Sequence, residues 1–252
     1  MQNQQEKTNK LKSFLSLGRT LGYWTRGYDF PRHCRQVFNC EDFSGKNVLE
    51  IGCGKGLLSL WASLHGANNV VGLEPLTEGR QDSSKIYSEF AKIVDVLKLK
   101  NIEMRPERIQ DYNNKNRYFD IVLSHSSVNH LDEDACIHLQ DSDVSINIYA
   151  DIFRSIADKM NDGGRLIILD CSSKNFFTFA GITNPMASQI EWFKHQTPEV
   201  WVKLLLEVGF TQPQVTWPSG RYLRYLRIFK RHKGLSYFMN SYFRIEMKYL
   251  KR

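Results

Sequence analysis

The sequence contains no run of 18 apolar residues, so no segment is expected to span a bilayer. Its polar start, residues 1–12, lacks the apolar core of a secretory signal, and a cytoplasmic protein is expected. Cysteine is sparse. Cys34, Cys40, Cys53, Cys136 and Cys171 are odd in number, form no C-x-x-C pair and match no histidine spacing for structural zinc. A disulfide scaffold is thereby excluded and reduced thiols are expected. Internal repeats, low-complexity blocks and Pro/Gly/Ser linkers are missing as well. With 42% apolar and 24% charged residues, the composition excludes disordered and collagen-like classes. A length of 252 residues, against about 150 per domain, fits one α/β domain with decorations.

Charge is unevenly spread. The net charge is +7, yet the stretch from Pro218 onward holds ten Lys/Arg (Arg221, Arg224, Arg227, Lys230, Arg231, Lys233, Arg244, Lys248, Lys251 and Arg252) against Glu246 as its one acid. The first 217 residues hold the other 24 cations and 26 acids and sum to −2, so the basic character is local. Short β-rich runs alternate with helical periods through the middle. Asn47 to Ile51 precedes Leu57, Leu60, Trp61 and Leu64; Asn69 to Leu73 precedes Ile86, Phe90, Ile93 and Leu97. Short strands then follow at Ile102 to Met104 and Phe119 to Ser124. A helix is expected through Tyr149, Ile152, Phe153, Ile156 and Met160, and a strand over Arg165 to Asp170 after a Gly163-Gly164 turn. This is a βαβ rhythm with strands apolar on both faces, the mark of a buried parallel sheet.

Thr197 as N-cap, Pro198 at the first helical position and Gly209 past the end frame a last helix before a strand around Gln214 to Trp217. Phe243, Ile245, Met247 and Tyr249 alternate with polar residues at period two, which predicts a seventh strand there. Residues 219–241 become a basic helical insertion, with Leu223, Leu226 and Phe229 on its inner side. The competing reading places the last strand at Tyr222 to Phe229.

The chemistry is signalled where Val48 to Ile51 runs into Gly52-Cys53-Gly54-Lys55-Gly56 and directly into a helix. Glycines let the backbone turn sharply and approach a ligand, while the helix start offers unpaired N–H groups. A dinucleotide fingerprint needs its third glycine one residue later, at Leu57, so nicotinamide binding is disfavoured. Eighteen residues after Gly56, Glu74 ends the next strand, where its carboxylate can accept both hydroxyls of a ribose. A nucleoside without a pyrophosphate is expected.

At these residues the sequence resembles the class I S-adenosylmethionine-dependent methyltransferase family, through E-x-G-x-G-x-G at Glu50 to Gly56, Glu74, Phe119-Asp120-Ile121-Val122 and Gly163-Gly164. The resemblance spans about Cys40 to Trp217 and implies a Rossmann-like seven-stranded mostly parallel sheet with helices on both faces and an antiparallel last strand. It implies S-adenosylmethionine as cofactor, with Glu50, Gly52 and Gly54 at its methionine end, Glu74 at the ribose and Leu76 against the adenine. An Asp that many relatives place at the adenine has no counterpart in Arg105 to Ile109, where Glu107 stands in. Ser124 counts among the cofactor contacts. Residues 1–39 form an N-terminal helical cap, with Tyr23 and Trp24 as a lid and Arg26 for the methionine carboxylate, and residues 40–252 form the methyltransferase domain.

Methyl transfer to a hydroxyl requires a base, and histidine suits that role. His125, just past the fourth strand, is the first candidate, His130 the second and His195 the third. No metal is expected, because the spacing of His125, His130, Asp132, Glu133 and Asp170 matches no metal pattern. Residues 172–196 form a long substrate loop in which Phe176, Phe177, Phe179, Met186, Trp192 and Phe193 can wall an apolar pocket. A small metabolite, glycan or lipid-linked acceptor of apolar or aromatic character, methylated on oxygen or less readily on nitrogen, is therefore favoured. The basic C-terminal region also admits nucleic acid or peripheral membrane contact. The rival functions are an RNA methyltransferase and a catalytically silent binding or scaffold relative.

Overall fold

A computed structural model describes residues 2–25, 28–40, 42–76, 83–113, 117–185, 187–218, 233–239 and 241–251. Two compact units divide the chain, Met1–Arg108 and Ile109–Arg252.

The first unit starts with α1 (Gln2–Thr20) and α2 (Phe30–Phe38). Asp29 caps α2 by accepting from the Arg32 N–H, and Asn39, left-handed at φ 52°, closes it. Their apolar faces meet in an aromatic cluster where Trp24 stacks on Phe30 at 4.7 Å and Phe14 and Trp61 pack edge-on. Then β1 (Asn47–Ile51), α3 (Leu57–Leu64), β2 (Asn69–Leu73), α4 (Ser83–Val96) and β3 (Ile102–Arg105) follow the expected alternation. The three strands are parallel, with Ile51 beside Leu73 and Leu73 beside Arg105. Every residue of β1 and β2 after the first is buried, which is why both read as unbroken apolar runs.

The second unit comprises β4 (Phe119–His125), α5 (Glu133–Ile137), α6 (Asp143–Ala157), β5 (Met160–Cys171), α7 (Phe176–Phe179), α8 (Pro198–Val208), β6 (Phe210–Thr216), α9 (Lys233–Met239) and β7 (Tyr242–Tyr249). Here β4 and β5 are parallel, while β7 lies antiparallel between β5 and β6. The seven strands follow the order β3-β2-β1-β4-β5-β7-β6, the expected mostly parallel sheet with an antiparallel last strand. Trp201 of α8, fully buried, packs against Tyr149 and Phe153 of α6 at 5.1 and 6.0 Å.

Three boundaries differ from expectation. Met160 belongs to β5 instead of the preceding helix, because it pairs opposite Phe119, and the register then jumps to Ile121 opposite Arg165. The Gly163-Gly164 pair is thus an irregularity inside a long strand. Gly163 has φ +72°, and a Cβ on Gly164 would lie 2.9 Å from the Asn161 carbonyl. His125 is the last residue of β4 and not one beyond it. The seventh strand forms at 242–249, as the preferred reading has it, and α9 lies within the expected insertion. Leu223, Leu226, Phe229 and the competing strand at Tyr222 to Phe229 fall outside the described residues.

Candidate active site

In the first unit the glycine loop leaves β1 on left-handed backbone, with φ of 65°, 52° and 67° at Gly52, Gly54 and Gly56. The glycines serve different ends. A Cβ on Gly56 would come within 2.7 Å of the Phe90 ring and 2.8 Å of Met104, so this residue is required for packing. A Cβ on Gly54 would meet nothing within 4 Å, so the backbone there borders open space. The loop is pinned to β2: the Cys53 N–H donates to the Leu73 carbonyl at 2.9 Å, and the Gly54 N–H donates to Glu74 Oε2 at 2.7 Å. Tyr87 donates from its hydroxyl to the Glu74 carbonyl. Glu74 is half-buried at the strand's end, and Leu76 is 58% exposed beyond it.

Glu50 turns inward. Its Oε2 accepts from the Ser59 N–H at 2.8 Å and the Ser59 hydroxyl at 2.5 Å, both on the first turns of α3. Burial pushes its carboxyl up to about 8, the Ser59 donors opposing and the Glu74 charge assisting. Glu107 pairs with Arg105 at 3.6 Å, and Arg105 also holds Glu103 at 2.8 Å. Of the expected lid, Trp24 is a core residue, 6% exposed, whose ring occupies the space a Gly18 side chain would need. Tyr23 does reach the loop: Lys55 lies over its ring at 4.2 Å, and its hydroxyl donates to Glu89 at 2.7 Å. Arg26 lies outside the described residues.

In the second unit the carboxyl ends of β4 and β5 gather the polar candidates. Ser124 is buried and shares a 2.8 Å hydrogen bond with the Ser127 hydroxyl. His125 Nε2 shares one of 2.8 Å with the hydroxyl of Tyr242, the first residue of β7. His130 Nδ1 pairs with Glu133 at 2.6 Å, and Lys194 joins both Glu133 at 3.1 Å and Glu191 at 2.9 Å. With 38% of its side chain exposed, His130 belongs to a surface ionic network that ties α5 to the turn at Trp192–Lys194. His130 and Lys194 hold the Glu133 carboxyl below its usual range.

His195 has the most enclosed partner. Its Nδ1 lies 3.1 Å from Oδ1 of Asp170, which is 1% exposed at the end of β5. That oxygen also accepts from the Cys171 N–H at 2.7 Å, while Asp170 Oδ2 is buried with no hydrogen-bond partner among the described residues. The histidine's position is fixed from both sides. Cys136 donates to the Lys194 carbonyl at 3.3 Å, and Gln196 donates to the Cys136 carbonyl at 2.6 Å. Trp192 places its ring 6.3 Å from the imidazole. Among the loop's other aromatics, Phe176 and Phe177 are half-buried, Phe179 and Phe193 are mostly exposed, and Met186 falls outside the described residues.

Sequence reading did not foresee the pairing of His195 with Asp170 or that of His125 with Tyr242. The signal was the strand register. Once β7 pairs antiparallel with β5, Tyr242 falls opposite Cys171, while His125 falls beside Leu169 on the other flank of β5.

A family model described as a methyltransferase domain matches residues 23–215. Similar solved structures include a Listeria monocytogenes protein assigned to the S-adenosylmethionine dependent methyltransferases (TM-score 0.59, 17% identity, covering 87% of this chain and 96% of that one). An S-adenosylmethionine dependent methyltransferase from Mesorhizobium loti gives a TM-score of 0.58 at 15% identity, covering 86% of this chain and 96% of its own. One from Aquifex aeolicus gives 0.56 at 12% identity, with 86% and 89% covered. No curated protein matches the sequence.

Proposed function

The chain belongs to the methyltransferase-domain family, and on that premise we propose that it transfers a methyl group from S-adenosylmethionine to a hydroxyl oxygen of a small acceptor, with His195 as the base. The residues of the first unit fit this cofactor. The backbone at Gly54 borders open space, a half-buried carboxylate stands beside it on β2, and an exposed Leu76 follows to cover an adenine face. Glu74 would hold the ribose hydroxyls, and Glu50, Gly52 and Gly54 would line the methionine end. Glu107 would stand nearest the adenine amino group. When bound, the cofactor supplies an electrophilic methyl group on a positively charged sulfur.

The chain's own contribution is alignment, exclusion of water and removal of a proton. Asp170 Oδ1 accepts the Nδ1 proton of His195, which leaves Nε2 with its lone pair to take the acceptor's hydroxyl proton. The buried Asp170 carboxylate then steadies the imidazolium. Trp192 beside the imidazole offers an apolar or aromatic acceptor a surface to lie against. The carrying observation is the His195–Asp170 pair, because it is the one candidate histidine backed by a carboxylate that water does not reach. His130 leans on an exposed glutamate, and His125 on a neutral phenol.

The test is to find the acceptor by incubating the protein and isotopically methyl-labelled S-adenosylmethionine with a metabolite extract, then to measure kcat for His195→Gln, Asp170→Asn, His125→Gln and His130→Gln. His195→Gln is expected to lower kcat by about 10²–10⁴ with cofactor affinity unchanged, the usual span for a lost general base. A His195→Gln enzyme within twofold of the parent, or label recovered only on nucleic acid, would refute the proposal.

A further inference from the structure

Single exposed apolar side chains are ordinary on a protein surface, but a group of them held on a rigid base is not. Phe179 is 84% exposed, Ile182 55% and Phe238 54%. They lie on α7, on the turn that follows it and on α9, which are packed together. The Phe176 and Phe238 rings sit 5.0 Å apart, the Ile182 N–H donates to the Phe177 carbonyl at 3.0 Å, and Asn184, fully buried, donates to the Met239 carbonyl at 2.7 Å. Ser241 closes the base by donating to the Lys174 carbonyl at 2.8 Å. Asn175 caps α7 by accepting from the Thr178 N–H at 2.9 Å. The three apolar side chains thus project from a fixed support.

The surrounding charge has one sign. Residues 171–190 and 218–245 contain no acidic residue, while they contain Lys174, Arg221, Arg224, Arg227, Lys230, Arg231, Lys233 and Arg244. Lys174 is exposed at the start of α7, and Lys233 at the start of α9, paired with Glu199 at 3.2 Å. An apolar group rimmed by cations complements a bilayer interface that carries negative headgroups: rings and aliphatic carbons enter the acyl boundary and the cations stay at the phosphates. Ile182 weighs against a nucleic acid, since an aliphatic side chain gives bases nothing to stack on.

We propose that the face formed by α7, its following turn and α9 docks on anionic membranes, with Phe179, Ile182 and Phe238 entering the lipid interface. The inference does not depend on the identity of the methyl acceptor. It is tested by flotation of the full chain with vesicles of phosphatidylcholine alone and of phosphatidylcholine mixed with phosphatidylglycerol, for the parent, Phe179→Ser/Ile182→Ser and Phe238→Ser. Binding to the mixed vesicles only, weakened by salt and reduced about tenfold or more in the variants, is expected from the loss of one or two buried apolar groups. The thermal midpoint of each variant should stay within a few degrees of the parent, because exposed side chains contribute little to folding. Failure to float with the mixed vesicles at low salt, or equal flotation of parent and variants, would overturn the proposal. So would RNA that displaces the vesicles and loses its own binding in the same variants, or a self-association that the variants abolish.

Discussion

Glu50 places a titration in the range where the protein can be assayed. Burial holds its carboxyl at about 8, so at pH 7 about one molecule in ten carries the charge in the free protein. If its ionised form is the one that faces the cofactor's ammonium group, the proton must leave when the cofactor binds. The apparent Kd should then lie about tenfold above its alkaline limit at pH 7 and about a hundredfold above it at pH 6, levelling off above pH 8. Calorimetry in pairs of buffers with different ionisation heats should show about one proton released at pH 7. The ligand's own amino group also titrates nearby, so Glu50→Gln is the control that isolates Glu50. Its Kd should be weaker at pH 9, and it should lose the added slope while Ser59 keeps an acceptor. Stability moves in the same direction. A carboxyl raised in the folded state contributes stability that is complete below the unfolded value of 4.5 and is lost as pH rises through 8, so the variant should gain on the parent over that interval. Identical slopes for parent and variant between pH 6 and 9 would refute the reasoning.

Two glycines in one loop should separate binding from folding. Gly54→Ala, strained by about 1 kcal/mol at φ +52° but clear of neighbours, should melt within about 4 °C of the parent and raise the cofactor Kd more than tenfold. Gly56→Ala drives a methyl against Phe90 and Met104 and should cost about 1–3 kcal/mol beyond the same strain, read as a larger drop in Tm. Glu246 is held by Arg165 at 2.7 Å and by Arg244, itself 4% exposed. Burial is the largest single influence on its carboxyl and acts upward, but the two guanidinium groups together outweigh it and hold it low. A depressed carboxyl contributes stability present above its unfolded value and lost as pH falls through the folded one. Glu246→Gln, which strands Arg244, should therefore lose about 3–5 kcal/mol in denaturant titrations at pH 7 and show a flatter acid limb than the parent.

The layers of the fold were legible because apolar runs and helical periods dictate them. Leu57, Leu60, Trp61 and Leu64 can only be one buried helix after a glycine turn, and Phe243, Ile245 and Met247 only one face of a strand. Local signals fixed the ends of α8, where Pro198 and Gly209 stand where a helix must start and stop. Met160 misled because it continues the helical period of α6, and only its pairing with Phe119 decides otherwise. Arg244 and Glu246 show the same limit: their alternation reads as a solvent face, yet β7 is flanked by β5 and β6, and the two side chains are buried against each other. Among the site candidates, residue type named the three histidines, but their ranking depended on partners 25 and 117 positions away in the sequence. Such proximity is a product of sheet order and leaves no trace in spacing.

The place of β7 bears on how the polypeptide matures. The strand made last sits between two made earlier, so as the chain leaves the ribosome β5 and β6 must wait with a gap between them, each presenting unbonded amide and carbonyl groups along one flank. Only Tyr242–Tyr249 can fill that gap, and it does so on both sides at once. Until it arrives, the nascent second unit is an open template for stray strands, which makes this stage of synthesis the one at which holding chaperones would matter most.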